Sequence, residues 1–218
     1  AADGVLHVGF TTPPGGELVL RAARALRATH PGIAVEVCEA PFTDPHGQLR
    51  AGSYDLAFTE FPVREADLVQ GLALITEGRV LAVAPGNPLA ALASATLEDL
   101  ARTPLLTVSG DLPAYAREHH APTRTPLGRP IERGPEVLNL QEALMLVAAG
   151  DGALLTSAHA TTYHARPGIA YVPVTDAEPA GFGLVWRAGQ DTAAVRAFAR
   201  TATAEAEAAR TARPRVVA

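Results

Sequence analysis

The chain contains no lysine; all 18 of its basic residues are arginine, which excludes Schiff-base catalysis and a lysine phosphate clamp from this polypeptide. It has one cysteine, Cys38, so an internal disulfide framework is excluded and a reducing cytoplasm is the simplest compartment. Nothing near Cys38 in sequence would lower its pKa, and it is expected to be a buried structural thiol. No apolar run approaches the roughly 20 residues that span a bilayer, and no membrane association is expected. The formal net charge is −5 and the sequence pI is near 5.8. The basic excess that grips a phosphate backbone is therefore missing, and this piece is not expected to bind nucleic acid by itself. Ala1-Ala2-Asp3-Gly4 has neither an initiator methionine nor the features of a signal peptide, which leads to the expectation of a fragment that begins mid-chain.

What is present is a 218-residue, 48% hydrophobic chain, enough for one or two domains with a well-buried core. Its organising stretch is residues 5–26. Val5-Leu6-His7-Val8-Gly9-Phe10 alternates as a strand, with Leu6, Val8 and Phe10 on one face. Thr11-Thr12-Pro13-Pro14-Gly15-Gly16 reads as a loop. A helix follows, with Leu18, Ala22, Ala25, Leu26 and Thr29 on one side and Arg21, Arg24 and Arg27 on the other. Such a unit brings backbone N–H groups and the hydroxyls of Thr11 and Thr12 to the positive end of a helix dipole, which suits a small anion or polar ligand.

The same rhythm continues. Residues 33–39 alternate as a second strand, Asp44-Pro45 is expected to cap and open a short helix through Arg50, and residues 54–59 form a third strand ending at Thr59 and Glu60. Strand ends of this kind converge on a ligand crevice. Residues 71–76 and 79–84 are strand-like with no helix between them, which marks a first boundary near Thr76. Thr96 and Asp99 form a capping box, and residues 105–108 are a strand with the polar exit Ser109-Gly110. Residues 112–120 are expected to be helical, with His119 and His120 on a solvated face. Residues 131–137 are weakly strand-like, Asn139 caps a helix over 140–149 ended by Gly150, and residues 152–156 form a strand after which Ser157 caps a short helix. Strands over 169–174 and 182–187 flank a second boundary, and an alanine-rich helix runs from about residue 192 to about residue 210. No Ser-His-Asp pattern, metal-ligand spacing or paired-carboxylate motif stands out, so neither an enzyme nor a cofactor or metal site is expected.

In order, these segments resemble the effector-binding domain of LysR-type transcriptional regulators. The resemblance is carried by Val5-Leu6-His7-Val8-Gly9, His30-Pro31-Gly32-Ile33-Ala34-Val35, residues 49–58 with Gly52 and Tyr54-Asp55-Leu56-Ala57, Pro85-Gly86-Asn87-Pro88-Leu89-Ala90 with Leu97-Glu98-Asp99-Leu100-Ala101, and residues 146–155 around Gly150 and Gly152. Asn87, Asp151 and Thr156 depart from the family pattern, standing where a His, an apolar residue and a Pro are usual.

The resemblance implies an α/β fold of two Rossmann-like subdomains joined by two crossover segments, type 2 periplasmic-binding-protein-like. Subdomain I is expected over residues 1–76 plus 183–218 and subdomain II over 77–182, with an N-terminal winged helix-turn-helix absent from this chain. It implies a small polar or carboxylated effector between the subdomains, touching Thr11, Thr12, Phe42, Thr43, Thr107, Ser109, Leu138 and Asn139, with Thr59 and Glu60 at the margin. The implied partners are that effector, further copies of the chain as a dimer or tetramer, and DNA only through the missing domain. Pairing would use the first helix, where Leu18 and Leu20 could leave an apolar strip beside Arg21 and Arg24. The alternative is a periplasmic-type solute-binding protein of the same architecture. An enzyme would be revived only by turnover dependent on Glu60 or His159.

Overall fold

Residues 4–41, 43, 44, 46–110 and 112–212 are described by a computed structural model. They fall into two compact units. The first takes the described residues up to Thr76 and those from Gly181 on, and the second is Glu77–Ala180, so the chain passes from one to the other twice.

The first unit is built on a five-stranded sheet of order β2-β1-β3-β10-β4. β1 (Gly4–Phe10) lies second from one edge, parallel to β2 (Ile33–Glu39) on one side and to the central strand β3 (Leu56–Glu60) on the other. Leu6 and Val8 are buried while Val5 is exposed, as the alternation requires. β4 (Leu68–Glu77) forms an edge, and β10 (Ala180–Arg187) runs antiparallel to β3.

Helix α1 (Pro13–Thr29) starts earlier than its sequence signals, because residues 13–16 are its first turn and not a loop. Thr12 caps it, the two prolines preset φ, and Gly15 and Gly16 let the backbone lie against the rings of Phe58 and Phe10. A Cβ on Gly16 would meet the Phe10 ring at 2.8 Å, so composition that looks like a breaker serves close packing. Leu18 is buried, and of the expected apolar strip only Leu20 is left outside, at 46% exposure. α1 packs beside the C-terminal helix (Ala193–Ala212), with Arg21 Nε 4.0 Å from a Glu205 carboxylate oxygen.

Two local expectations are corrected here. Cys38 is exposed, not buried, because β2 is an edge strand and its alternate residues face outward. The Tyr54 phenol is pushed up to about 12, first by its own burial and then by the neighbouring Cys38 thiol. The short helix α2 spans Gly47–Arg50, and His46 stands at its N-terminal boundary without a side-chain bond to it. Asp44 Oδ1 accepts from Gly47 N at 2.8 Å, so it serves this turn from two residues outside the cap position it was expected to hold. Pro45 lies outside the described residues.

In the second unit β5 (Arg79–Val83) is antiparallel to β8 (Leu154–Ser157) and β9 (Ala170–Val174) on its two sides. All five of its residues are buried, Leu81 and Val83 packing into one cluster and Ala82 into another, so both sheet faces are covered. β6 (Leu105–Val108) runs parallel to β7 (Arg133–Val137), and Leu106 N donates to Ala153 O at 2.9 Å, which sets β6 beside the start of β8. β6 is thus flanked by β7 and β8 as β1 is by β2 and β3. In each unit the next strand outward is antiparallel, β10 in the first and β5 in the second. The two units repeat one plan.

Helix α3 (Ala114–His120) has no buried residue. α4 (Leu140–Ala149) ends at Gly150, whose φ of 89° is the left-handed conformation glycine adopts without strain. The Thr96–Asp99 capping box heads a 3-10 turn, Leu97–Arg102. Ser157 is the buried last residue of β8 and not a cap; α5 (Ala160–Tyr163) follows without one. His119 is not on a solvated face either, since its Nε2 lies 3.1 Å from the buried Arg79 guanidinium.

Candidate functional site

In the first unit the polar residues collect where the parallel strands end. β2 and β3 leave β1 on opposite sides, and the C-terminal ends of strands at such a reversal are where open α/β sheets bind ligands. Thr11 follows β1 directly. Its backbone N donates to Phe58 O at 3.1 Å and its hydroxyl donates to the same oxygen at 3.3 Å. The Thr11 oxygen keeps its lone pairs for a ligand donor. The Thr12 hydroxyl accepts from Gly15 N at 3.4 Å, and its own proton is left for an acceptor such as a carboxylate. Thr59, buried at the end of β3, is paired in register with Gly183, and half-buried Glu60 with Phe182. Ala40 N donates to Phe10 O at 2.8 Å, so the turn that carries Thr43 leaves the sheet at this same edge. Phe42 lies outside the described residues.

The second unit repeats the arrangement. Ser109 N donates to Val137 O at 2.9 Å, extending the ladder one residue past the end of β6 onto the last residue of β7. Leu138 and Asn139 follow β7 and open α4. Asn139 Oδ1 accepts from Glu142 N at 2.9 Å, while Glu142 Oε2 accepts from Leu138 N at 2.8 Å, a reciprocal closure of the helix start. Leu138 is 64% exposed.

Thr107 and Ser109 line a cleft of about 290 Å³. Its other polar walls are Arg117 and His120 from α3 and Arg133 and Glu136 from β7. Leu138 and Asn139 stand outside that lining. Two guanidiniums are fixed here by backbone carbonyls: Arg117 donates to Gly110 O at 3.0 Å and Arg133 to Ala121 O at 2.7 Å. Residue types and spacing did not single out Arg117, Arg133 or Glu136; the signal available was Gly134-Pro135 inside a strand-like run, which marks a bulge. A second depression, about 410 Å³, lies in the first unit along Leu72, Trp186 and Arg200, and holds none of the expected site residues.

Among the described residues no group of three or more His, Cys, Asp or Glu side chains is placed to hold a metal ion. None of the described helices is long and apolar enough to cross a membrane.

Residues 1–207 match the model of the LysR substrate binding domain. The HTH-type transcriptional regulator CysB of Haemophilus influenzae is 30% identical over 105 residues, 48% of this chain and 32% of that protein. The chain therefore spans about a third of the length of this curated relative. Among solved structures, the effector binding domain of QuiR in complex with shikimate superposes with a TM-score of 0.74 at 18% identity, covering 95% of this chain and 99% of that one. The BenM effector binding domain with its effector benzoate gives 0.67 at 20% identity, covering 97% and 96%. These likenesses carry the type 2 periplasmic-binding-protein-like fold. With a match that runs from the first strand into the last helix, and with the strand order above, the chain belongs to the LysR substrate binding domain family.

Proposed function

We propose that this chain is the ligand-sensing part of a LysR-type transcriptional regulator. The carrying observation is the repeated plan: in each unit hydroxyls stand at the C-terminal ends of parallel strands, Thr11, Thr12 and Thr59 in one and Thr107 and Ser109 in the other. Hydroxyl, amide and backbone donors without a dominant fixed charge orient a small polar or carboxylated molecule. Thr43, Glu60, Leu138, Asn139 and Phe42 complete the proposed contact set. Support comes from QuiR and BenM, whose domains were solved with shikimate and benzoate, both carboxylic acids.

The effector acts by preferring one arrangement of residues 1–76 plus 183–218 against 77–182, and it shifts that equilibrium only by its differential affinity. DNA binding belongs to a winged helix-turn-helix joined ahead of this chain, in a cytoplasmic dimer or tetramer. The test is a thermal-shift screen of small carboxylic acids, amino acids and aromatic acids. A hit weakened by Thr11→Val and by Thr107→Val is expected, and silence across a broad acid library overturns the reading.

A further inference from the structure

We propose that the cleft enclosed by β6, β7 and α3 is a binding site for a small carboxylic acid that also carries an amino group, the acidic α-amino acids being the class whose charges it matches. The inference rests on the sensing reading for its biological consequence only; the binding itself is a property of the second unit.

The ladder between β6 and β7 is irregular. Leu105 pairs with Arg133 and Thr107 with Glu136, so one residue of β6, Leu106, faces two of β7, Gly134 and Pro135. That extra residue is a bulge, a device that re-aims side chains. In a regular strand positions three apart point to opposite faces. Here Arg133 and Glu136 line the same cleft, which puts a cation and an anion on one wall. Proline at the bulge has no N–H to lose from the ladder.

The opposite wall is α3, which contributes Arg117 and His120 to the lining. Arg117 projects from this helix. Each arginine uses one N–H on a backbone carbonyl, Gly110 for Arg117 and Ala121 for Arg133. That bond orients the planar group and leaves further donors of its fork for a carboxylate. The hydroxyls of Thr107 and Ser109 close the end of the cleft.

Among the described lining residues two guanidiniums stand against one carboxylate, with His120 beside them. Two carboxylates and one ammonium complement that set charge for charge. A volume of about 290 Å³ suits a metabolite and is at the low end for a drug-sized ligand.

The experiment is isothermal titration of the chain with L-glutamate and L-aspartate, against glutarate, which lacks the amine, at matched ionic strength. Saturable heat is expected for an amino acid, weakened about tenfold or more in Arg117→Gln and in Arg133→Gln. Arg24→Gln, on α1, is the control for surface charge. Glu136→Gln is expected to bring glutarate level with glutamate. Circular dichroism reports folding; should Arg133→Gln unfold, the exposed Arg117 decides. No saturable heat, or binding that Arg117→Gln leaves unchanged, overturns the site, and wild-type glutarate binding equal to that of glutamate overturns the amine assignment. A different acid bound through Thr11 and indifferent to Arg117→Gln would sink this inference and leave the sensing reading standing.

Discussion

Glu77 Oε2 accepts two hydrogen bonds from one residue, His159, at 2.9 Å from its backbone N–H and 2.8 Å from its ring Nδ1. The two are 82 positions apart, and their side chains are only 19% and 9% exposed. Glu77 is the first residue of the second unit, and His159 precedes α5, so the pair ties the chain's arrival in that unit to the far end of β8. A carboxylate acceptor fixes the ring proton on Nδ1. Glu77→Ala removes the acceptor and leaves two donors facing the protein interior, which is expected to lower the unfolding free energy by about 1–3 kcal/mol. Glu77→Gln, whose amide oxygen still accepts one bond, loses less. Urea denaturation of the three proteins checks the order, and an alanine variant as stable as the parent would contradict it.

The threonines after β1 separate structure from recognition. Thr12→Ala deletes the cap on Gly15 N and is expected to cost roughly 1 kcal/mol, with Thr12→Ser close to the parent. Thr11→Val is nearly isosteric. It loses one long bond to Phe58 O, which Thr11 N still satisfies, so stability should change by less than about 1 kcal/mol. Thermal melts measure both. Against an effector found in the acid screen, Thr11→Val and Thr12→Ala should each weaken binding while Thr12→Ser retains it. If Thr11→Val binds like the parent, the Thr11 hydroxyl is only a strand-end bond.

These residues also show which features are legible in a sequence. Thr11, Thr59 and Ser109 end strand-like runs, and Asn139 and Gly150 bracket an apolar run; each signal is contained within a few residues, so element and position can be read directly. The first turn of α1 could not be read, because Pro-Pro-Gly-Gly carries the composition of a turn and the deciding partners, Phe10 and Phe58, are supplied by the sheet. Cys38 escaped for a related reason. Alternation says which residues share a face, whereas exposure depends on β2 being an edge, a matter of strand order. Arg133 and Glu136 meet on one wall only through the bulge, and Glu77 finds His159 only once β5 and β8, far apart in sequence, have paired. Site chemistry that hangs on long-range register is the part local pattern does not carry.

His46 gives stability a pH dependence whose sign is fixed. Its imidazole is held below the ordinary value of 6.5, first by burial, which Glu65 opposes and Arg50 reinforces. The unfolded chain takes up the proton at about 6.5 and the folded chain only at lower pH, so between those values the unfolded state holds more protons. Stability therefore rises with pH across that window and falls as pH drops through it. Asp99 is held low, chiefly by the Thr96 N–H, and its contribution is lost only below the usual carboxylate value of 3.8, outside the window. Urea midpoints at about pH 7.5 and about pH 5.5 should differ less in His46→Gln than in the parent. An equal difference would assign the slope to other groups.

Asn139 is placed to be either a cap or a ligand contact, and two substitutions divide these roles. Its Oδ1 holds Glu142 N at 2.9 Å, and Glu142 in turn holds Leu138 N at 2.8 Å, so the start of α4 is closed from both sides. Asn139→Ala opens that closure and is expected to cost about 1 kcal/mol, within the 0.5–2 kcal/mol range of lost caps. Asn139→Asp keeps an oxygen on Glu142 N and adds a negative charge at the positive end of the helix, so stability should stay within about 0.5 kcal/mol of the parent. For a carboxylate effector the same charge is repulsive and the amide donor is gone, so affinity should fall in the aspartate variant while the fold holds. Denaturation midpoints and titration with the screened effector read the two effects separately. A stable Asn139→Asp protein with unchanged affinity would remove Asn139 from the contact set and leave it as the cap of α4.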